Sequence, residues 1–131
     1  MFNRDAMSKH SKILFIDDDE NIREIYGAAL KEDNRLLDFA ADGKEGFNKL
    51  AKNKYDVVIT GIVMPKMSGL DMLEKMRKAR IRQHKVVILT NHKLELGEEE
   101  MKALGVDGYY LKSDFTSDQL AELVNRLIDE P

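Results

Sequence analysis

Three consecutive carboxylates, Asp17-Asp18-Asp19, follow directly on the apolar run Ile13-Leu14-Phe15-Ile16. Like charges side by side repel, so a chain that keeps them needs something positive to offset them, either a hard divalent cation or an ammonium group. Thr90 closes the apolar run Val86-Val87-Ile88-Leu89, and Lys112 follows Gly108-Tyr109-Tyr110-Leu111. Each of these has a plainer reading. Aspartates cap helices, threonine is a β-branched strand residue, and most lysines are solvated. A cap uses one carboxylate and not three, however, and the weight lies in the set: acids, hydroxyl and amine all fall just after short apolar runs.

The runs 13–16, 57–59 and 86–89 are rich in Ile and Val, as strands buried on both faces of a parallel sheet are. Residues 36–40 and 55–60 supply two more strands, giving five with 13–16, 85–90 and 108–111. Helical spacing lies between them. Ile22, Ile25, Tyr26, Ala29 and Leu30 form one stripe; Phe47, Leu50 and Ala51 a second; Leu70, Leu73 and Met76 a third. A helix over 97–104 stops at Gly105, and the last carries Leu120, Leu123, Val124, Leu127 and Ile128 after Thr116-Ser117. Asp18 or Asp19 caps the first helix, and Asp42-Gly43 opens the second. Strict alternation predicts an α/β fold, a five-stranded parallel doubly wound sheet in a flavodoxin-like three-layer sandwich. Chemistry in such sheets sits outside the carboxyl ends of the strands, here Asp17-Asp18, Gly61, Thr90 and Lys112.

Composition sets the outer limits. The chain has 131 residues with 21 Lys+Arg against 24 Asp+Glu, a net charge of −3, the size of one domain. Having no Cys, it excludes disulfides, thiolate metal sites and a cysteine nucleophile. A pI near 5.6 speaks against a nucleic-acid-binding module. No apolar run approaches the roughly 20 residues of a membrane span, and the start has no signal-peptide core, so a cytoplasmic location is expected. Residues 1–11 read as a flexible leader, with Met7 an alternative start, and 12–130 as the domain. His10, His84 and His92 are not at metal-ligand spacing, and His92 near Thr90 reads as a solvated loop residue. Glu98-Glu99-Glu100 reads as an exposed helix face.

Taken together, Ile13-Leu14-Phe15-Ile16-Asp17-Asp18, Tyr55-Asp56-Val57-Val58-Ile59 leading to Met64-Pro65-Lys66-Met67-Ser68-Gly69, Leu89-Thr90, and Gly105-Val106-Asp107-Gly108-Tyr109-Tyr110-Leu111-Lys112 resemble the receiver domain of two-component response regulators. The resemblance covers nearly the whole chain. It implies that Asp17 and Asp18 hold Mg²⁺, that Thr90 contacts a phosphoryl group, that Lys112 pairs with the acceptor carboxylate, and that Tyr109 is the aromatic switch. Tyr109 also admits a plainer role as a half-buried aromatic.

The acceptor itself is missing. In the family the phosphorylated Asp stands four residues before the Pro of the Met-Pro motif, and counting back from Pro65 reaches Gly61. Asp56, five residues back along the strand, is about 16 Å away. Thr60 faces the other side of the strand, and Asp71 lies beyond the loop on a helix. A second departure is Ser113 after Lys112, where the family has a Pro that is commonly cis. A cis bond before a non-proline costs roughly 3 kcal/mol, so a trans bond is expected.

Loss of that carboxylate predicts a weak Mg²⁺ site at best, no required cofactor, and an ion pair between Lys112 and Asp17 or Asp18. Function is then expected to be interaction rather than catalysis: a degenerate receiver (pseudo-receiver) docking a signalling protein or histidine kinase. The face implied is that of the fourth helix, last strand and last helix, in a monomer or weak homodimer without nucleic acid or membrane. No DNA-binding appendage follows before Pro131, so output is expected to pass through another protein. One alternative is an ordinary phosphoaccepting regulator carrying an introduced Asp-to-Gly substitution at Gly61. Another is a small Mg-dependent haloacid-dehalogenase-type phosphatase with Asp17 as nucleophile, Asp19 as acid–base and Lys112 in support; that family's later acidic metal motif is absent from Thr90-Asn91 and Lys112-Ser113.

Overall fold

The computed structural model describes residues 11–32, 34–93 and 96–131. Five strands, β1 (Ser11–Ile16), β2 (Arg35–Ala40), β3 (Val57–Thr60), β4 (Lys85–Thr90) and β5 (Gly108–Leu111), alternate with five helices. The helices are α1 (Glu20–Leu30), α2 (Gly43–Lys52), α3 (Gly69–Lys78), α4 (Glu98–Ala103) and α5 (Ser117–Asp129), and a 3-10 turn covers Lys112–Asp114. All pairings are parallel, in the order β2-β1-β3-β4-β5. This is the expected doubly wound flavodoxin-like sheet. The expected leader lies outside the described residues except Ser11, which already pairs with Arg35 in β1.

Strand alternation divides the core into two layers. Ile13 and Phe15 join Val57, Ile59, Val87 and Leu89 under α1 and α5, where Tyr26, Leu30, Leu120, Leu123 and Val124 meet them. Leu14 and Ile16 point the other way, with Val58, Val86 and Ile88, against Leu50, Met72, Leu73 and Met76 of α2 and α3. Every residue of β3 is buried, which is why its sequence shows no polar alternation.

Several expectations need correction at this level. Ile25, assigned to the inner stripe of α1, is 56% exposed, because Tyr26 and Leu30 face the sheet and Ile25 stands about 100° around the helix from Tyr26. Ala51 is exposed for the same reason, next to the buried Leu50. Met72, left out of the α3 stripe, is fully buried. The ladder of β3 starts at Val57, not residue 55; Tyr55 instead accepts from His84 and donates its amide to the Gln83 side chain at 2.5 Å.

Caps end the elements cleanly. Asp19 accepts from the amides of Asn21 and Ile22, Asp42 from Glu45, Ser68 from Asp71, and Thr116 forms a capping box with Gln119. Gly105 adopts the left-handed conformation, φ 75°, just past α4. No helix among the described residues is long and apolar enough to cross a membrane.

Candidate functional site

Strand order reverses between β1 and β3, and that crevice at the carboxyl edge is where open α/β sheets bind ligands. Asp17, Asp18, Gly61, Thr90 and Lys112, the residues singled out from sequence, all line one cavity of about 230 Å³ there. The three acids divide their work. Asp19 turns away as the cap of α1. Asp18 is exposed at the mouth. Asp17 points in and is buried; its amide donates to Ala40, its carbonyl accepts from Arg23 at 2.7 Å, and its Oδ1 accepts from the Asp19 amide at 2.9 Å.

Lys112 supplies the positive charge. Its ammonium contacts Asp17 Oδ2 directly, with the lysine side chain 12% and the aspartate side chain 3% exposed. The expected ion pair is therefore present, and it selects Asp17 over Asp18. Lys112 is the first residue of the 3-10 turn, the bond from it to Ser113 is trans, and no cis bond occurs among the described residues.

Gly61 follows the last residue of β3, its amide donating to the Ile16 carbonyl at 2.9 Å. A Cβ placed on it would meet nothing closer than the Ile16 carbonyl at 3.7 Å, Asp17 Oδ2 at 3.8 Å and the Leu89 carbonyl at 3.9 Å. Those are ordinary van der Waals contacts, so glycine is not required here by crowding. Gly69 is the opposite case, since a Cβ there would lie 1.9 Å from the Gly61 carbonyl. The turn before it is tight, with Lys66 at φ 67° and Gly69 donating to Ile62 at 2.8 Å. Asp56 lies at the far end, accepting from the Lys12 amide; Thr60 donates its hydroxyl to the Gly61 carbonyl; Asp71 is exposed on α3. None of the three reaches the cavity as a replacement acceptor.

Thr90 is buried at the end of β4, and its Oγ1 accepts from the His92 amide at 3.2 Å. The His92 carbonyl accepts in turn from the Tyr109 hydroxyl at 2.9 Å, linking the cavity to the half-buried ring on β5. Ile62, Val63, Asn91 and His92 also line the cavity. Sequence reasoning passes over the first three, although each follows a strand end by one to three positions, and it sets His92 aside as a loop residue. A larger groove between α1 and β2, lined by Gly27, Leu37 and Phe39 with acids and bases in equal number, contains none of the strand-end residues.

The donor set does not fit Mg²⁺. One oxygen of the buried carboxylate already contacts an ammonium, the other accepts an amide, and the second carboxylate is a lone exposed one. Mg²⁺ wants near-octahedral oxygen coordination, and each unit of charge brought within about 4 Å of the ammonium costs about 4 kcal/mol at an effective dielectric of about 20. Among the described residues no group of three or more His, Asp or Glu could hold a metal ion. The phosphatase alternative loses its acid–base, because Asp19 is committed to the helix cap.

Comparison with known proteins bears on this arrangement. The response regulator receiver domain model matches residues 13–125. The receiver domain of Francisella response regulator 1452 is 31% identical, with a TM-score of 0.75 over 91% of this chain and 97% of that one. TrrA of Thermotoga maritima, a response regulator protein solved in complex with Mg²⁺ and BeF, is 35% identical over 89% of this chain and 98% of that one, with a TM-score of 0.74. Among curated proteins, the transcriptional regulatory protein DltR of Streptococcus agalactiae is 30% identical over 83% of this chain. The gliding motility regulatory protein of Myxococcus xanthus is 28% identical over 92% of it. The chain spans 48% of the length of DltR and 16% of the Myxococcus protein.

Proposed function

The chain belongs to the response regulator receiver domain family, and from that premise we propose that it is a degenerate receiver, which takes no phosphate at position 61 and signals by docking another protein. One observation carries this reading: the cavity floor is Gly61, and the lysine beside it is bound to Asp17. Glycine has no oxygen to attack a phosphoryl donor. Neither Asp56, Thr60 nor Asp71 stands in for it. Without a covalent ligand, the balance between conformations is set by the sequence and by partners, since only differential binding shifts such a balance.

The docking face we favour comprises α4, β5 and α5. Supporting it, β5 is an edge strand, Tyr109 on it reaches the cavity through His92, and a surface pocket of about 270 Å³ lies along it beside Tyr109, Tyr110 and Phe115. The rings of Tyr110 and Phe115 stack with centroids 4.8 Å apart, which presents a stiff aromatic surface. A histidine kinase or another signalling protein of the cytoplasm is the partner class proposed.

One observation favours a second reading, in which Gly61 is a substitution in an ordinary phosphoaccepting regulator: a Cβ placed there meets only ordinary van der Waals contacts. The experiment that tests the main reading is incubation of the chain with acetyl phosphate or a cognate kinase, followed by intact mass at neutral pH. No adduct is expected on the chain as it stands. A labile single-phosphoryl adduct would overturn the degenerate reading.

A further inference from the structure

We propose that Lys112 is the built-in cation of this domain: its ammonium meets the charge of the buried Asp17 and thereby keeps divalent ions out of the cavity. A carboxylate with 3% of its side chain exposed has little water to stabilise it, so it needs a close positive partner. Lys112 supplies one at Oδ2 while the Asp19 amide serves Oδ1. The lysine is tethered by β5 and the 3-10 turn, so it competes with free ions as an intramolecular ligand of high effective concentration. Gly61 contributes to the same outcome. With no side chain at that position, the ammonium has no rival carboxylate beside it and stays on Asp17. Asp18 is left as a lone exposed carboxylate at the mouth, too weak a ligand to strip water from Mg²⁺. The folded state should therefore be indifferent to divalent cation concentration.

The inference stands on the Asp17–Lys112 contact and not on the docking reading. A chain that docked no partner would still show it, and an adduct in the phosphorylation assay would leave it standing.

The test uses the full chain and Lys112→Met, with Mn²⁺ binding followed by water-proton relaxation and thermal melting in Mg²⁺. The chain as it stands is expected to show no saturable Mn²⁺ binding at millimolar concentrations and no shift of Tm in Mg²⁺. Lys112→Met is expected to melt lower in chelator, to recover in Mg²⁺, and to bind Mn²⁺ at least about tenfold more tightly. If Lys112→Met is unfolded in chelator, circular dichroism during Mg²⁺ titration replaces the melt. Refolding supports the proposal, and failure to refold overturns it. The double variant Lys112→Met/Asp17→Asn, which removes both charges, is expected to fold and to ignore Mg²⁺. Tight Mn²⁺ binding by the unaltered chain, or equal Mg²⁺ stabilisation of both proteins, would also overturn the proposal.

Discussion

Replacing Gly61 by Asp puts an oxygen where the cavity floor has none, and the structure lets its effect be worked out. The new Cβ meets its three nearest atoms at 3.7, 3.8 and 3.9 Å, so the first side-chain carbon carries no steric penalty. Loss of glycine freedom in the unfolded chain favours the folded state by about 0.4–1 kcal/mol. Against this, the carboxylate sits close to Asp17 Oδ2, a repulsion of about 4 kcal/mol at about 4 Å and an effective dielectric of about 20. Lys112 lies within reach of both acids and returns an attraction of the same order. The terms nearly cancel, and Gly61→Asp is expected to change unfolding free energy by no more than about 2 kcal/mol. The ammonium is then shared, which frees Asp17 for a cation. Mg²⁺ at ten times its dissociation constant should add about 1.4 kcal/mol to the variant and nothing to the unaltered chain. Urea unfolding of both proteins, with Mg²⁺ and with chelator, reads these values. A loss well above about 4 kcal/mol, or Mg²⁺ stabilisation of the glycine form as large as that of the variant, would refute the reasoning.

Gly69→Ala is expected to lose at least about 2 kcal/mol in the same urea assay, because its Cβ would lie 1.9 Å from the Gly61 carbonyl and backbone must move. Tyr109→Phe removes the hydroxyl that holds the His92 carbonyl; faster amide exchange over residues 91–93 is expected, with global stability within about 1.5 kcal/mol. Asp38 offers a pH test. Burial raises its pKa, but hydrogen bonds from Lys49 and Tyr55 and the Lys49 charge outweigh that and hold it below the ordinary carboxylate value. A carboxyl depressed on folding stabilises fully above its unfolded pKa and loses that contribution as pH falls through the folded one. The acid limb of a stability–pH profile should therefore flatten in Asp38→Asn, and an unchanged limb would show that the pair contributes nothing.

Much of this was legible in the sequence, for identifiable reasons. Strands buried on both faces, such as Val57–Thr60, announce themselves as unbroken apolar runs, and the residues just after them fall at one edge by topology. That topology brings Asp17, Gly61, Thr90 and Lys112 to one place from the sequence pattern alone. What stayed illegible depends on rotation and on competition between neighbours. A stripe drawn at helical spacing is about as wide as the buried face, so Ile25 and Ala51 at its margins were misplaced while Met72 was missed. Three adjacent aspartates look equivalent, and only the turn into α1 assigns Asp19 to the cap, Asp18 to solvent and Asp17 to the cavity. The loop carrying Ile62 and Val63 has no periodicity to read, because its course is set by the close approach of Gly69 to Gly61, and Asn91 lies on a separate loop after β4.

The central claim is that position 61 lacks the means to capture a phosphoryl group, and beryllofluoride probes this most directly. Fluorine NMR of the unaltered chain with Mg²⁺ and beryllofluoride is predicted to show free species only, with amide resonances of Thr90, Tyr109 and Lys112 unmoved. A protein-bound fluoride signal at one equivalent, accompanied by shifts at those three residues, would contradict it.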